Sequence, residues 1–333
     1  MRILIFEVNW RGDVLFSTPA IRAIRKKYPD SFITALVVPR CREILEQNPN
    51  IDEIVIYNEH RGHRSLLGKL SLIRQLRRRQ FDLAFIFHRS FTRALMIYLA
   101  GIPGRIGYNI KRRGFLLTQK VELPRGKIHK VEYFLNMVRK AGIKTETRFY
   151  EFYISQEDKN WASRALDEKG INNKDFLVIL NPGGNWKPKR WLVDRFAELA
   201  DKLVKVYDAK IVITGASKDE HLAEAIANLA KAGLVSFCGK TDLKRLGALL
   251  EKANLIISGD SGPLHIGVAL GVKAIALFGP TSPDTTGPYG KGEYSIIWKD
   301  VGCEVPCYNL SCNDYRCMKA ITAEDVMRAI QAR

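Results

Sequence analysis

The stretch SGDSGPLHIGVALGVKAIALFGPTSP, from Ser258 to Pro283, alternates apolar runs with loops of glycine, proline and polar residues. The run NLIIS that leads into it predicts a buried strand, GPLHIGVALG predicts a helix, and VKAIALFG predicts a second strand. Pro263 falls in the first turn of the helix, where its missing N–H costs no hydrogen bond. Strand, helix and strand in this order predict a parallel βαβ unit.

The polar turn of this stretch is suited to binding a phosphate. Free N–H groups and the positive end of the helix dipole meet at the start of the helix. Gly259 and Gly262 allow a ligand to approach the backbone closely, and His265 is expected within reach of it. The alternative is that Asp260 or Ser261 simply caps the helix.

The same alternation extends along the whole chain of 333 residues. Strand-like runs such as RILIFEV, SFITALVVP, FDLAFIF, DFLVIL and KIVIT are separated by amphipathic, helix-like segments. We therefore predict an α/β protein of two Rossmann-like, doubly wound domains, residues 1–155 and 156–333, facing each other across a cleft. The final helix, within TAEDVMRAIQAR, is a candidate to pack back on the first domain.

Every loop rich in glycine, proline and polar residues comes directly after a predicted strand. These loops are NWRGD, NPGGNWKPKRW, GASKDE, GDSGPLH and GPTSP, and their common position predicts one shared site. In the second loop Gly183 and Gly184, with Lys187 and Lys189, fit a diphosphate; a surface turn with exposed lysines is the alternative. Neither G-x-x-x-x-G-K-[ST] nor G-x-G-x-x-G occurs in them, which disfavours an ATPase and a dinucleotide-dependent redox enzyme.

Asp13 is the candidate general base. It follows the first strand and lies just inside the next predicted helix, whose N-terminus favours the ionised carboxylate. A carboxylate at that place can accept the proton of an acceptor hydroxyl. Helix capping explains Asp13 equally well from this residue alone.

The net charge of +18 is concentrated in the first half of the chain. Residues 1–155 carry 29 Lys or Arg and 13 Asp or Glu, a net +16, whereas residues 156–333 carry 24 and 22, a net +2. Such a field attracts nucleic acid, anionic lipid or a polyanionic substrate, and a solvated basic face is the bland alternative. Because no nucleic-acid recognition motif accompanies the charge, we expect no nucleic-acid partner.

Four cysteines near the C-terminus have C-x3-C-x4-C-x4-C spacing, which is looser than that of the usual zinc pairs. They are Cys303, Cys307, Cys312 and Cys317. A structural or reduced role, a metal or labile cluster, and disulfides are the three interpretations. No apolar run approaches the ~20 residues of a membrane span, and no signal-peptide cleavage site follows the first strand, so we expect a cytoplasmic protein in which disulfides are disfavoured.

The motifs of this chain resemble those of the ADP-heptose:lipopolysaccharide heptosyltransferases, glycosyltransferase family 9. The resemblance is carried by NWRGDVLFSTPAIRAIRKKYP, NPGGNWKPKRW, DSGPLHIGVALGVKAIALFGPTSP and the tail CEVPCYNLSCNDYRCM, in that order over nearly the whole length. It implies a GT-B fold whose C-terminal domain binds the sugar nucleotide and whose N-terminal domain binds the acceptor. It further implies an inverting transfer that needs no bound metal and no cofactor.

The resemblance also implies roles for individual residues. Asp13 matches the catalytic carboxylate, Lys189 the lysine that neutralises the leaving diphosphate, and Asp260 the residue that holds the donor sugar hydroxyls. Ser217 stands where some members have the acidic ribose contact, so Asp219 or Glu220 is expected to serve instead. The full set of expected donor contacts is Gly183, Gly184, Lys187, Asp219, Glu220, Asp260, Ser261, Gly262 and His265.

The basic first half then matches an acceptor with lipid A phosphates and carboxylated sugars at the inner membrane face. The expected acceptor contacts are Arg61, Arg64, Arg105, Lys111, Arg112 and Arg113. The amphipathic segment LLGKLSLIRQLRRR either rests on anionic lipid or packs on the core with an exposed basic face. The competing functions are another GT-B glycosyltransferase, a sugar-nucleotide epimerase, and a basic RNA- or membrane-binding module.

Overall fold

The computed structural model describes residues 1–289, 292–309 and 311–331. The chain divides into two compact units, Met1–Tyr153 and Ile154–Arg333, and the described residues of each form one parallel sheet of six strands. The α/β prediction is confirmed. Within the described ranges, none of the helices combines the length and the apolar composition that crossing a membrane requires.

The first unit has the strand order β3-β2-β1-β4-β5-β6. Its strands are β1 Arg2–Phe6, β2 Phe32–Val37, β3 Glu53–Ile56, β4 Leu83–Ile86, β5 Gly104–Tyr108 and β6 Gln119–Val121. Its helices are α1 Arg11–Lys27, α2 Arg42–Leu45, α3 Leu66–Arg78, α4 Phe91–Leu99 and α5 Lys130–Lys140. The chain changes direction across the sheet between β1 and β4, and ligands of such sheets bind beyond the carboxyl ends of the strands at that point.

Proline and threonine together keep α1 intact in its middle. Pro19 lies inside α1 and has no N–H for the carbonyl oxygen of Leu15, four residues earlier. The hydroxyl of Thr18 donates to that oxygen instead, at 2.8 Å. The sequence Thr-Pro is therefore compatible with a long helix that follows β1, whose residues 3–6 are fully buried.

The second unit repeats the arrangement, with the order β12-β11-β10-β7-β8-β9. Its strands are β7 Leu177–Asn181, β8 Lys210–Ile213, β9 Leu234–Ser236, β10 Leu255–Gly259, β11 Lys273–Phe278 and β12 Tyr294–Trp298. Its helices are α6 Gln156–Asp167, α7 Val193–Tyr207, α8 Glu220–Leu229, α9 Leu243–Lys252, α10 Gly262–Ala269, α11 Pro283–Thr286, α12 Arg316–Lys319 and α13 Ala323–Gln331. The equivalent reversal lies between β7 and β10.

The final helix belongs to the core of the second unit. Thr322 caps α13: its Oγ1 accepts from the N–H of Asp325 at 3.2 Å, and its own N–H donates to Asp325 Oδ2 at 2.8 Å. The apolar face of α13, including Val326, packs against α7 and belongs to the same core cluster as Leu203. The apolar face of this helix is thus buried within its own unit, and its packing on the first domain stays a prediction.

We predict that Leu203→Ala lowers the free energy of unfolding by about 2–5 kcal/mol, because Leu203 is fully buried between α7 and the sheet and its removal leaves a cavity. Val206→Ala, on the exposed side of the same helix, serves as the control and should change it by less than about 0.5 kcal/mol. Urea unfolding of both variants measures the difference. Equal losses would mean that α7 does not bury the face described.

Candidate functional site

Asp260 lies at the centre of the polar cluster in the second unit, directly after β10. Lys189 Nζ donates to its Oδ2 at 2.8 Å, and Thr286 Oγ1 donates to the same oxygen at 3.2 Å. His265 Nε2 lies 3.2 Å from Oδ1. The Asp260 side chain is only 6% exposed, whereas that of Lys189 is 20% exposed and faces solvent in part.

The environment of Asp260 fixes its charge. Burial by itself raises the pKa of a carboxyl, but the hydrogen bond from His265 and the ammonium of Lys189 outweigh it and hold the pKa of Asp260 well below its usual range. Asp260 is therefore a permanent anion at neutral pH and a poor proton acceptor. It is suited to accepting hydrogen bonds from ligand hydroxyls and to orienting Lys189.

The start of α10 keeps its N–H groups available. Ser261 occupies the N-cap position but makes no side-chain cap hydrogen bond; its Oγ lies 2.9 Å from Ser258 Oγ. The carboxylate of Asp260 is engaged by Lys189 and His265. Helix capping by either residue is thus not what the structure shows, and open space lies next to Gly262. The turn is suited to an anion.

The glycine loop after β7 is held by a residue pair that the sequence did not indicate. Arg190 donates to the carbonyl oxygen of Gly184 from Nε at 3.1 Å and from Nη2 at 2.8 Å. The same Nη2 lies 3.3 Å from Asp219 Oδ1. A Cβ on Gly183 would stand 2.6 Å from Asp219 Oδ2, so only glycine allows this approach.

These contacts separate the two acidic candidates for the ribose. Asp219 is buried, and its Oδ2 also accepts from the N–H of Ala216 at 3.2 Å. Its carboxylate holds loops together, so the prediction of a direct donor contact fits Asp219 poorly. Glu220 is exposed and remains accessible.

Asp13 lies in the first turn of α1, two residues inside the helix. The N-cap position belongs to Trp10, so Asp13 is not the cap residue. The side chain of Asp13 is 23% exposed, and Lys130 Nζ, from the start of α5, lies 3.8 Å from its Oδ1. No sequence pattern linked Lys130 to Asp13, because 117 residues separate them and only the packing of α5 on α1 brings them together.

The predicted acceptor residues fall into two groups. Arg61, Arg64, Lys111 and Arg112 are exposed. Lys111 and Arg112 also have left-handed backbone conformations, with φ of 51° and 57°, a strained turn for two residues other than glycine.

The other two arginines are occupied in the structure. Arg105 donates to three backbone carbonyls, those of Ile102, Pro103 and Leu116. Arg113 is fully buried and donates to the carbonyl oxygens of Tyr108 at 2.8 Å and His88 at 2.5 Å. A buried guanidinium cannot reach a surface ligand, so the prediction for Arg113 is wrong: it supports the loop that presents Lys111 and Arg112.

The four C-terminal cysteines are free thiols. They line one cavity of about 40 Å³ together with Pro188, which belongs to the loop that carries Lys189. Among the described residues, no three His, Cys, Asp or Glu side chains are arranged to hold a metal ion.

The profile of one protein family, "Glycosyltransferase family 9 (heptosyltransferase)", matches residues 69–313. Lipopolysaccharide heptosyltransferase 2 of Escherichia coli (strain K12) is 26% identical over 301 residues, covering 86% of this chain and 85% of the relative. Lipopolysaccharide heptosyltransferase 3 of the same strain is 28% identical over 336 residues, with 97% and 95% covered.

Solved structures superimpose on this chain over nearly its full length. The glycosyl transferase family 9 protein from Veillonella parvula DSM 2008 superimposes with a TM-score of 0.90 at 26% identity, covering 99% of this chain and 96% of that one. E. coli ADP-heptose LPS heptosyltransferase II shares the fold, with a TM-score of 0.82 at 24% identity and 100% and 98% covered. The fold is thus the GT-B fold of these proteins, as the sequence predicted.

We predict that Lys189→Met lowers the free energy of unfolding at pH 7 by about 2 kcal/mol or more, because it leaves the buried Asp260 carboxylate without its cation. The hydrogen bonds from His265 and Thr286 remain in this variant, so the expected loss stays close to about 2 kcal/mol. Lys187→Met, two residues away and exposed, is the control with little expected effect.

The pH dependence of this loss has a defined sign. The depressed pKa of Asp260 stabilises the native protein above the pKa of the unfolded carboxyl, and this stabilisation is lost as the pH falls. The difference in the free energy of unfolding between wild type and Lys189→Met, measured by urea unfolding, should therefore become smaller below about pH 4. A gap that is constant from pH 7 to pH 3 would contradict the assignment of an ionised Asp260.

Proposed function

Because the chain belongs to glycosyltransferase family 9, the heptosyltransferases, we propose that it transfers a heptose from ADP-heptose to a hydroxyl of an anionic lipopolysaccharide-core acceptor. The observation that carries this proposal is the buried Lys189–Asp260–His265 cluster at the start of α10. It places a cation, a fixed anion and open helix N–H groups together, which is the set that a sugar diphosphate requires. ADP as the nucleotide is what the resemblance of the motifs implies.

In the donor site, the ammonium of Lys189 and the N–H groups at the start of α10 neutralise the diphosphate. The Asp260 carboxylate accepts hydrogen bonds from sugar hydroxyls while it holds Lys189 in place. Glu220, exposed after the 3-10 turn that follows β8, contacts the ribose. Gly183 and Gly184 form the backbone floor for the diphosphate, with Lys187 at its edge.

In the reaction, Asp13 takes the proton of the acceptor hydroxyl as that oxygen attacks the anomeric carbon. The new C–O bond forms as the bond from the anomeric carbon to the diphosphate oxygen breaks, which inverts the configuration. The electron pair leaves with ADP, whose growing negative charge is stabilised by Lys189 and the dipole of α10. Lys130 Nζ, 3.8 Å from Asp13 Oδ1, places a positive charge beside the base. These residues supply the whole step, with no role for a metal or cofactor.

The exposed cations of the first unit suit the acceptor. Arg61, Arg64, Lys111 and Arg112 are placed to bind its phosphate and carboxylate groups. Membership of a transferase family disfavours a basic module that only binds RNA or membrane.

Helix α3 supports a peripheral association with the cytoplasmic face of the inner membrane. Its second half packs on the core through Leu72, Ile73 and Leu76, whereas Leu66 and Leu67 in its first turn are 73% and 77% exposed. Residues 60–80 around them carry seven Lys or Arg and no acid. Two projecting leucines within a cationic surface match the chemistry of an anionic bilayer.

We predict that Asp13→Asn lowers kcat for heptose transfer by about 10²–10⁴-fold, because the amide cannot accept the proton. Binding of ADP, measured by calorimetry, should be unchanged, since the donor contacts lie in other residues. Asp30→Asn, an exposed change in the same unit, is the control. Transfer by Asp13→Asn at the wild-type rate would exclude Asp13 as the base.

We predict that the double change Leu66→Ser and Leu67→Ser weakens binding to vesicles of phosphatidylglycerol and phosphatidylcholine by at least about tenfold. The reason is that the variant has no leucine side chains at these two positions to insert into the lipid. Leu229→Ser, 58% exposed in the second unit, is the control and should bind as wild type does. Cosedimentation measures both. Equal binding of all three proteins would mean that the protein binds the membrane through its positive charge alone or through another surface.

A further inference from the structure

Glu7 is a fully buried carboxyl at the functional end of the first unit. It directly follows β1. The order of the strands in the sheet reverses between β1 and its neighbour β4. Its backbone N–H donates to the carbonyl oxygen of Leu36 at 3.0 Å, which fixes it in the sheet. The mechanism above assigns it no task, although carboxyls are rarely buried without a partner.

The contacts of its side chain indicate the protonated form. Glu7 Oε2 accepts from the N–H of Val8 at 3.2 Å, a hydrogen bond that a carboxylate and a neutral carboxyl can both accept. Glu7 Oε1 lies 2.9 Å from Ser17 Oγ, and Ser17 Oγ lies 2.7 Å from the carbonyl oxygen of Val14. A serine hydroxyl has one proton, and the shorter contact to Val14 takes it. The hydrogen bond between Ser17 and Glu7 then needs a proton from the carboxyl of Glu7.

No cation compensates a charge on this carboxyl among the contacts of the described residues. The groups that face it are Asp13 and Ser17 from α1, Cys41 from the 3-10 turn after β2, and Arg93 from α4. Arg93 does not bind the carboxyl. Its Nη1 donates to the carbonyl oxygen of Glu7 at 2.9 Å, while its Nη2 donates to Asn9 and Glu59.

Glu7 is also linked to the proposed base. Ser17, which contacts Glu7, lies four residues after Asp13 and therefore on the same face of α1, one turn further. A negative charge on Glu7 would thus be added on the side of the helix that carries Asp13. An ionised Glu7 also has no proton to donate to Ser17, so the hydrogen bond beneath this turn is lost.

We propose that Glu7 is a positioning residue that acts as a neutral carboxylic acid: it donates to Ser17 beneath the Asp13 turn, and its ionisation disables the site at alkaline pH. The proposal rests on the proposed function in one respect, the role of Asp13 as base. The charge state of Glu7 is independent of it. In agreement, burial raises the pKa of Glu7 to about 8; the N–H of Val8 favours the charged form, and the charge of Asp13 disfavours it.

The first test measures protonation without any transfer assay. A carboxyl with a raised pKa binds its proton in the native state but not in the unfolded chain between about pH 4.5 and pH 8, so wild type loses stability as the pH rises through this range. Glu7→Gln, which keeps the shape and a donor for Ser17, removes this loss. Its unfolding constant relative to wild type should fall by up to about tenfold per pH unit between pH 5 and pH 8. The exposed Glu224→Gln should show no such trend.

The second test measures the consequence for transfer. One pH unit above the pKa of Glu7 only about a tenth of the protein keeps Glu7 neutral. The ratio of kcat/KM at pH 9 to that at pH 7 should therefore be about tenfold higher in Glu7→Gln than in wild type, with Glu224→Gln matching wild type.

Three results would overturn the proposal. The first is a stability of Glu7→Gln that parallels wild type at every pH, which means an ionised Glu7. The second is an unchanged alkaline limb of kcat/KM. The third is a folded Glu7→Gln without activity at pH 7, which means that the charge itself is needed. If wild type transferred no heptose at any pH, the proposed function would fail, while the unfolding data would still decide the charge of Glu7.

Discussion

The ion pair between Lys189 and Asp260 is the interaction on which the donor site depends. It joins the loop after β7 to the end of β10, the two neighbouring strands between which the sheet order reverses. The backbones approach equally closely there: a Cβ on Gly259 would stand 2.8 Å from the carbonyl oxygen of Lys189. A glycine at the strand end and a lysine in the facing loop are thus parts of one contact. The cation is held beside the open N–H groups of α10 before any ligand arrives, which is the preorganisation that electrostatic catalysis needs.

Two buried carboxyls at equivalent strand ends are driven to opposite charge states. Asp260 has a lysine, a histidine and a threonine hydroxyl around it, and these offset the cost of burying its charge. Glu7 has the backbone N–H of Val8 and one serine hydroxyl, whose proton is directed to a carbonyl oxygen, and no cation contacts it among the described residues, so the cost of burial dominates. The difference is decided by the partners and not by the depth of burial, since both side chains are almost inaccessible. In the proposed reaction, the Asp260 carboxylate supplies a fixed negative charge. Glu7 stays neutral, and Asp13 acts as the base.

Some basic residues of the first unit are buried and hold loops in place, whereas others are exposed on the surface. Arg93 lies 4.9 Å from the ring centres of both Phe6 and Tyr57 and bonds Glu59, so it ties the loop after β1 to the loop after β3. Arg113 supports its own turn from inside. Side chains such as Arg61 and Arg112 project from the loops that these buried arginines hold. A count of arginines in the sequence therefore overestimates the charge that a ligand meets.

The amino-acid sequence by itself determined the alternation of strands and helices, the two parallel sheets, and the loops in which Asp13, Lys189, Asp260 and His265 lie. These follow from local patterns: apolar periodicity, glycine and proline positions, and polar residues after strands. Only the tertiary structure decided which charged groups meet. Lys130 approaches Asp13, Thr286 bonds Asp260, and Asp219 holds the glycine loop through Arg190. These pairs join distant parts of the chain, and burial and counter-charges, which fix the state of each group, exist only once the chain has packed.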